Sequence, residues 1–262
     1  EDEFGFPVLI RGKGGVRLTE NGRALLPAIR EILNANDHMD QIVANIRGMS
    51  FGRLRIGTFA SASVLWLPKI IEEFSHDYPG IQIEIIVGGN DSLISQLDES
   101  CIDFAIMSNP PQGYEWIHLA SDRMLVLLPP GHRLVDKDRV TLDEIDDDPF
   151  ILSNEGFDYD VSQIIKGSGI TPRLSFSTME NRGIIAMIQH GLGVTVMPEM
   201  VLDSLESNVI TKELAPCEYR HMGIIVKSVN TASLAAKTFI SYAKRIISEL
   251  GTYPPIDGEL NA

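Results

Sequence analysis

Gly52-Arg53-Leu54-Arg55-Ile56-Gly57 opens the stretch that decides the fold. Leu54 to Gly57 reads as a strand, and Leu65 to Tyr78 as a helix ended by Pro79-Gly80. Ile81 to Val87 alternates and is rich in β-branched residues, which makes it a second strand. Ser92 to Glu99 then reads as a helix, Asp103 to Met107 as a third strand, and Met124 to Leu128 as a further one stopped by Pro129-Pro130-Gly131. This alternation predicts the α/β class, with a sheet flanked by helices.

Downstream the pattern resumes as a second unit. A short helix at Leu142 to Ile145 precedes Asp146-Asp147-Asp148, which reads as a solvated loop rather than a metal site. Strands follow at Phe150 to Leu152, Arg173 to Ser177, Val194 to Met197 and Gly223 to Lys227. Helices are expected at Val161 to Ser168, Arg182 to His190 and Ser233 to Leu250, with a frayed tail after Gly251. No repeat of fixed period relates the two units.

Upstream, Val8 to Arg11 and Val16 to Leu18 are β-prone runs around Gly12-Lys13-Gly14-Gly15, the composition of a tight hairpin turn. The Walker pattern is not met, so the glycines are not read as a phosphate loop. Thr19 reads as the N-cap of a long helix running to about Arg47. Leu25, Ile29, Ile32, Asn36, Met39, Val43 and Ile46 are spaced 4, 3, 4, 3, 4, 3, a heptad seam with one polar member. Such a narrow stripe favours pairing with a second helix over docking on the chain's own domain. Pro27 lies inside the pattern and predicts a kink or restart.

Composition removes several classes. Of 262 residues, 44% are hydrophobic, enough to form packed cores. A net charge of −14 opposes nucleic-acid binding by the whole surface. The exception is Arg11 to Arg30, where Arg11, Lys13, Arg17, Arg23 and Arg30 face only Glu20 in the count of charges. Cys101 and Cys217 lack metal-type spacing and read as reduced thiols of a cytoplasmic protein. No signal peptide is recognisable, and the longest uncharged run, Gly183 to Pro198, is too short and glycine-broken to span a bilayer. There is no Gly-x-Ser-x-Gly, His-Glu-x-x-His, Cys-x-x-Cys or Gly-x-Gly-x-x-Gly after a strand, and the histidines are dispersed. Asp158 and Asp160 flank Tyr159, a weak signal on its own. The expectation is therefore a protein that is not an enzyme and has no metal or cofactor.

These fragments together resemble a known family. Phe6-Pro7-Val8-Leu9-Ile10-Arg11, then Val16-Arg17-Leu18-Thr19-Glu20-Asn21-Gly22, look like the wing and the start of the linker helix in LysR-type transcription regulators. Gly52 to Gly57, Leu67-Pro68, Phe74, Tyr78-Pro79, Leu97 and Asp103-Phe104-Ala105-Ile106 fit the same template, as do Pro129-Pro130-Gly131-His132, Pro149-Phe150-Ile151 and Gly191-Leu192-Gly193-Val194. Cys101 stands where the family usually has glycine. The family's recognition helix would end near Glu1 to Phe4, so only the wing of its DNA-reading head is expected here.

The resemblance implies a wing hairpin (1–18), a linker and dimerisation helix (19–51) and a two-lobe, periplasmic-binding-protein-like effector domain (52–250), before a tail (251–262). Lobe I would comprise about 52–129 and 213–250, and lobe II about 130–212, with crossings near Pro129 and Lys212. It implies a small-molecule effector bound at the carboxyl ends of strands, where small hydroxyls and amides beside free backbone N–H groups suit an anion. By that likeness Ser61, Ser108, Asn154 and Thr178 are the effector-binding residues, with Ser63 and Asn90 beside them; the plain alternative is that they cap helices and turns. Arg11, Lys13 and Arg17 are the expected DNA contacts of a homodimer or homotetramer that needs no membrane. The rival reading is an extracytoplasmic solute-binding protein, which would carry a signal peptide or lipobox cysteine instead of a basic hairpin and a heptad helix.

Overall fold

The structure is a computed structural model that describes residues 1, 3–12, 15–46, 51–109, 112–153, 159–178, 180–205 and 209–253, without the side chains of residues 38, 41, 42, 44–46 and 159. Strands β1 (Leu9–Gly12) and β2 (Gly15–Leu18) form the expected antiparallel hairpin. Helix α1 (Glu20–Ile46) follows, and the Thr19 hydroxyl oxygen accepts the Gly22 N–H at 2.9 Å, as an N-cap does. Pro27 does not interrupt the helix, which forfeits one backbone bond there and continues.

Lobe I is built on β3 (Phe51–Thr58), which pairs in parallel with β4 (Gly80–Val87) and β5 (Phe104–Ser108). The expected single helix from Leu65 to Tyr78 is two helices, α2 (Ala60–Leu65) and α3 (Leu67–Asp77). Pro68 explains the break: without an N–H it belongs in a first turn, and it sits at the start of α3. Helix α4 (Asn90–Asp98) links β4 to β5. Strand β6 (Glu115–Leu128) is far longer than the expected Met124 to Leu128.

Lobe II contains β7 (Arg139–Thr141), a 3-10 turn (Asp143–Ile145), β8 (Pro149–Ser153), α5 (Tyr159–Ser168), β9 (Arg173–Thr178), α6 (Asn181–Gln189), β10 (Thr195–Pro198), α7 (Glu199–Asp203) and β11 (Ile210–Ala215). The chain returns to lobe I through β12 (Tyr219–Val226) and closes with α8 (Leu234–Leu250), capped by the Ser233 side chain at one end and left-handed Gly251 at the other. Strands β7 and β11 and helix α7 had no expectation in the sequence.

The two crossings lie elsewhere than expected. Residues Glu115 to Arg123 of β6 pair with β12, whereas Met124 to Leu128 pair with β10 and β11, so one unbroken strand passes between lobes at Arg123. Pro129 merely ends that strand inside lobe II. The return lies between Ala215, still paired to β7, and Tyr219, paired to Arg123, and not near Lys212. A turn motif marks where a strand stops, but a strand that exchanges partners leaves no such mark. Pairing therefore groups 51–123 with 219–250, and 124–218 as the second lobe, within a sheet path ordered β4-β3-β5-β12-β6-β11-β7.

Candidate functional site

The parallel strands of lobe I all end at one edge. Thr58, the last residue of β3, pairs with Val87 of β4 and Ile106 of β5, so the segments beginning at Phe59, Gly88 and Ser108 are neighbours. Ser61, in the first turn of α2 at this edge, is 3% exposed, and its Oγ has no hydrogen-bond partner. A buried hydroxyl of this kind is costly unless something satisfies it. Asn90, the first residue of α4, donates from Nδ2 to the Ser108 carbonyl at 2.9 Å. The sequence-expected Asn90 and Ser108 are thus directly joined.

Lobe II presents its own strand ends. Ser153 of β8 pairs with Thr178 of β9. The Thr178 hydroxyl accepts the Glu180 N–H at 3.3 Å and the Glu180 carboxylate accepts the Arg182 N–H at 3.3 Å, a local turn into α6. Ser63 is likewise committed locally, its hydroxyl donating to the Ala60 carbonyl at 2.6 Å. For these two the helix-capping and turn role is what the geometry displays. Asn154 lies outside the described residues.

A group that sequence reasoning passed over bridges the lobes. The Asp160 carboxylate, in the first turn of α5, accepts from the Ser108 hydroxyl at 2.9 Å and from Asn109 Nδ2. Asn109 is held in the left-handed region at φ 55°, and its N–H donates to the His221 carbonyl at 3.1 Å. Burial pushes the Asp160 carboxyl above the usual carboxylate range, while the Arg220 charge and the Ser108 hydrogen bond pull the other way. No local motif could have found this contact, because donors and acceptor are about fifty residues apart in the chain.

Beside it lies the hinge. Arg220 and Asp122, 6% and 0% exposed, form a bidentate pair with Nε–Oδ1 at 2.9 Å and Nη2–Oδ2 at 2.8 Å. Asp122 Oδ2 also accepts the Met200 N–H of α7 at 3.0 Å, and Arg220 lies 4.9 Å from the Phe59 ring centroid. The pair therefore ties both crossing strands to lobe II. Ser121 sits between two rings: His118 Nε2 lies 3.0 Å from the Ala120 carbonyl and 3.2 Å from Ser121 Oγ, and His221 Nδ1 is 2.8 Å from that same oxygen. A carbonyl accepts only, so His118 Nε2 carries the proton, and the Ser121 hydroxyl joins the two rings.

The long helix turns its polar side to lobe I. Arg30 pairs with Glu99 at 2.8 Å, and Asn34 donates to the Ser100 carbonyl at 3.0 Å while accepting from Arg55 at 2.7 Å. Its apolar seam points away: Ile29, Ile32, Met39 and Val43 are exposed, Leu25 is half-buried, and Asn36 is exposed. The Ile46 side chain lies outside the described residues. In the hairpin Ile10 faces Arg17 and Arg11 faces Val16, so alternation puts Arg11 and Arg17 on opposite faces of the ribbon, both exposed. Lys13 lies outside the described residues. Among the described residues there is no metal-binding group of three or more ligands, and no helix long and apolar enough to cross a membrane.

Two α/β lobes joined by two crossing strands, behind a hairpin and a long helix with an exposed seam, define a ligand-binding regulatory architecture. Residues 47–247 match the LysR substrate binding domain model, and the chain belongs to the LysR family of transcription regulators. It is 33% identical over 249 residues to the HTH-type transcriptional regulator YvbU of Bacillus subtilis (strain 168), covering 94% of this chain and 85% of that one. Its fold is shared with a full-length OxyR from Pseudomonas aeruginosa (TM-score 0.76, 20% identity, 98% of this chain and 85% of that chain). It is also shared with the CcmR regulatory domain of Synechocystis PCC6803 in complex with 2-PG (TM-score 0.69, 20% identity, 76% and 98%). Regulation, and not catalysis, is the activity of the family and of these relatives.

Proposed function

We propose that this regulator senses a small anionic metabolite held between its lobes by Ser61, Asn90 and Ser108 of lobe I, with Thr178 and Asn154 of lobe II and Ser63 as further contacts. The observation that carries the reading is the buried, unpartnered Ser61 Oγ at the carboxyl edge of the lobe I sheet. Small-molecule sites place a few convergent polar groups at such an edge. A ligand favours the lobe arrangement it binds better, and the crossing strands transmit the difference to the helix that precedes lobe I. The α1 seam pairs two copies as a homodimer or higher homo-oligomer, and Arg11, Lys13 and Arg17 contact DNA phosphates or a groove. The protein works in the cytoplasm, where its DNA lies.

Native mass spectrometry of the purified chain tests the site. A co-purifying small molecule should be present with wild type and absent from Ser61→Ala/Ser108→Ala, with circular dichroism showing that the variant remains folded. Retention of the molecule by the double variant would place the effector elsewhere.

A further inference from the structure

Ser108 and Asn109 are adjacent residues of lobe I that aim a hydroxyl and an amide at the two oxygens of one carboxylate, each donor taking a different oxygen. That is how a carboxylate receptor is built. The carboxylate in it is the chain's own, brought from lobe II by Asp160 at the N-terminal end of a ten-residue helix, where the free backbone N–H groups favour negative charge. We propose that Asp160 is an internal stand-in for the effector's carboxylate: it fills the Ser108–Asn109 receptor in the free protein, and a carboxylate effector enters by displacing it. This rests on the interlobe site proposed above and adds the ligand's reacting group and the competitor it meets.

Three further observations support it. Asn109 and Asp160 lie on the wall of a cavity of about 590 Å³ shared with Gln163, Pro216 and Tyr219 and with the acids Asp143 and Glu218, which gives room for a displaced Asp160 side chain. The donors are otherwise pre-set: Asn90 fixes the Ser108 carbonyl, and the left-handed Asn109 backbone is anchored to His221. The two donors to Asp160, Ser108 and Asn109, are neutral, while the nearby Arg220 charge, itself paired with Asp122, favours the charged carboxyl against burial. The contact spans both lobes, so displacing it removes a bond that holds them together.

The test is a rescue experiment on the whole chain, with sodium acetate and acetamide as probes and thermal unfolding as readout. Asp160→Ala leaves the receptor empty, and acetate should raise its melting temperature at a concentration about tenfold or more below that needed for wild type. Acetamide should not act, and adding Ser108→Ala should abolish the response. Asp160→Ser takes the place of the alanine variant where the latter does not fold. Equal responses of wild type and variant, or equal responses to acetate and acetamide, would overturn the proposal. The two readings separate in the mass spectrometry of Ser61→Ala/Ser108→Ala. Loss of the co-purified molecule without acetate rescue sinks only the stand-in; its retention sinks the interlobe site and the stand-in with it.

Discussion

Lobe I and lobe II repeat the same strand–helix alternation but close their cores to different degrees. Lobe I packs Trp66, Phe74, Phe104 and Phe239 at 0–2% exposure around a continuous run of paired strands. Its aromatic centre is edge-to-face, with Phe74 and Phe239 centroids 5.1 Å apart. Both lobes place apolar clusters on either side of their sheets, but those of lobe II are smaller than the main cluster of lobe I, and β8 and β9 form a parallel pair tied to the rest of lobe II through a bridge from Phe150 to Val194. Leu174 and Phe176 of β9 remain 58% and 41% exposed. The difference is also chemical: lobe I offers hydroxyls and amides to the cleft, and lobe II answers with a carboxylate. A well-packed frame holding donors, faced by a lighter lobe that brings a releasable acceptor, is suited to moving one lobe on the other.

The comparison is sharpest at the hinge, where the Arg220–Asp122 pair of the crossing strands holds the Met200 N–H of lobe II and Arg123 pairs with Glu199 and Glu213 of that lobe. Arg220→Ala should cost about 3–5 kcal/mol, because it strands the fully buried Asp122 carboxylate. Denaturant unfolding should show the loss, and it should fall on both lobes together if the pair couples them. A second, smaller transition that leaves lobe I intact would show that the lobes unfold independently.

Within the lobes the contrast predicts unequal truncations. Phe239→Ala should cost about 3–5 kcal/mol, since Phe239 is fully buried and touches both Phe74 and Phe104. Phe176→Ala, on the open β9, should cost no more than about 1 kcal/mol. Comparable losses in the two variants would mean that β9 is covered in the working assembly.

These asymmetries were unevenly legible in the sequence. Gly52 to Gly57 and Ile81 to Val87 announce lobe I because alternation and turn residues are local signals. The hairpin, the Thr19 cap and the exposed seam of α1 were readable for the same reason. The crossings were not, since β6 exchanges partners at Arg123 without a turn, and Pro129 drew attention six residues too late. Glu115 to Ala120 and Ile210 to Ala215 escaped because their strand character rests on partners far along the chain. At the site, Asn90 and Ser108 were found from their place after strands. Asp160 was seen only as half of a weak acidic pair, because its meaning comes from donors in another lobe.

The interlobe contact gives a pH signature that neither truncation shares. Asp160 has a folded-state pKa raised above the ordinary value of 3.8. Its contribution to stability is therefore fully present below about pH 3.8 and is lost as pH rises through the raised folded value. The stability of wild type relative to Asp160→Asn should accordingly fall as pH is raised from about 4 toward neutrality. A difference that grows with pH would mean that Ser108 and Asn109 stabilise the charged carboxylate more than burial opposes it.

The smallest expected effects compare one helix start from each lobe. In lobe I the Ser233 hydroxyl accepts the Ala236 N–H at 3.1 Å and begins a seventeen-residue helix that buries Phe239 and Ile240. Removing that cap exposes an orphan donor beside a packed face, so Ser233→Ala should cost about 1 kcal/mol. In lobe II Thr178 accepts from Glu180 at a longer 3.3 Å, and the cap of α6 itself is the Glu180 carboxylate. Thr178→Ala should therefore stay within about 0.5 kcal/mol of wild type, because the helix keeps its own cap and the threonine is partly exposed. Urea midpoints measured side by side decide the matter. A Thr178→Ala loss equal to that of Ser233→Ala would show that the β9–α6 turn is held by threonine, and would remove the reason to reserve its hydroxyl for a ligand.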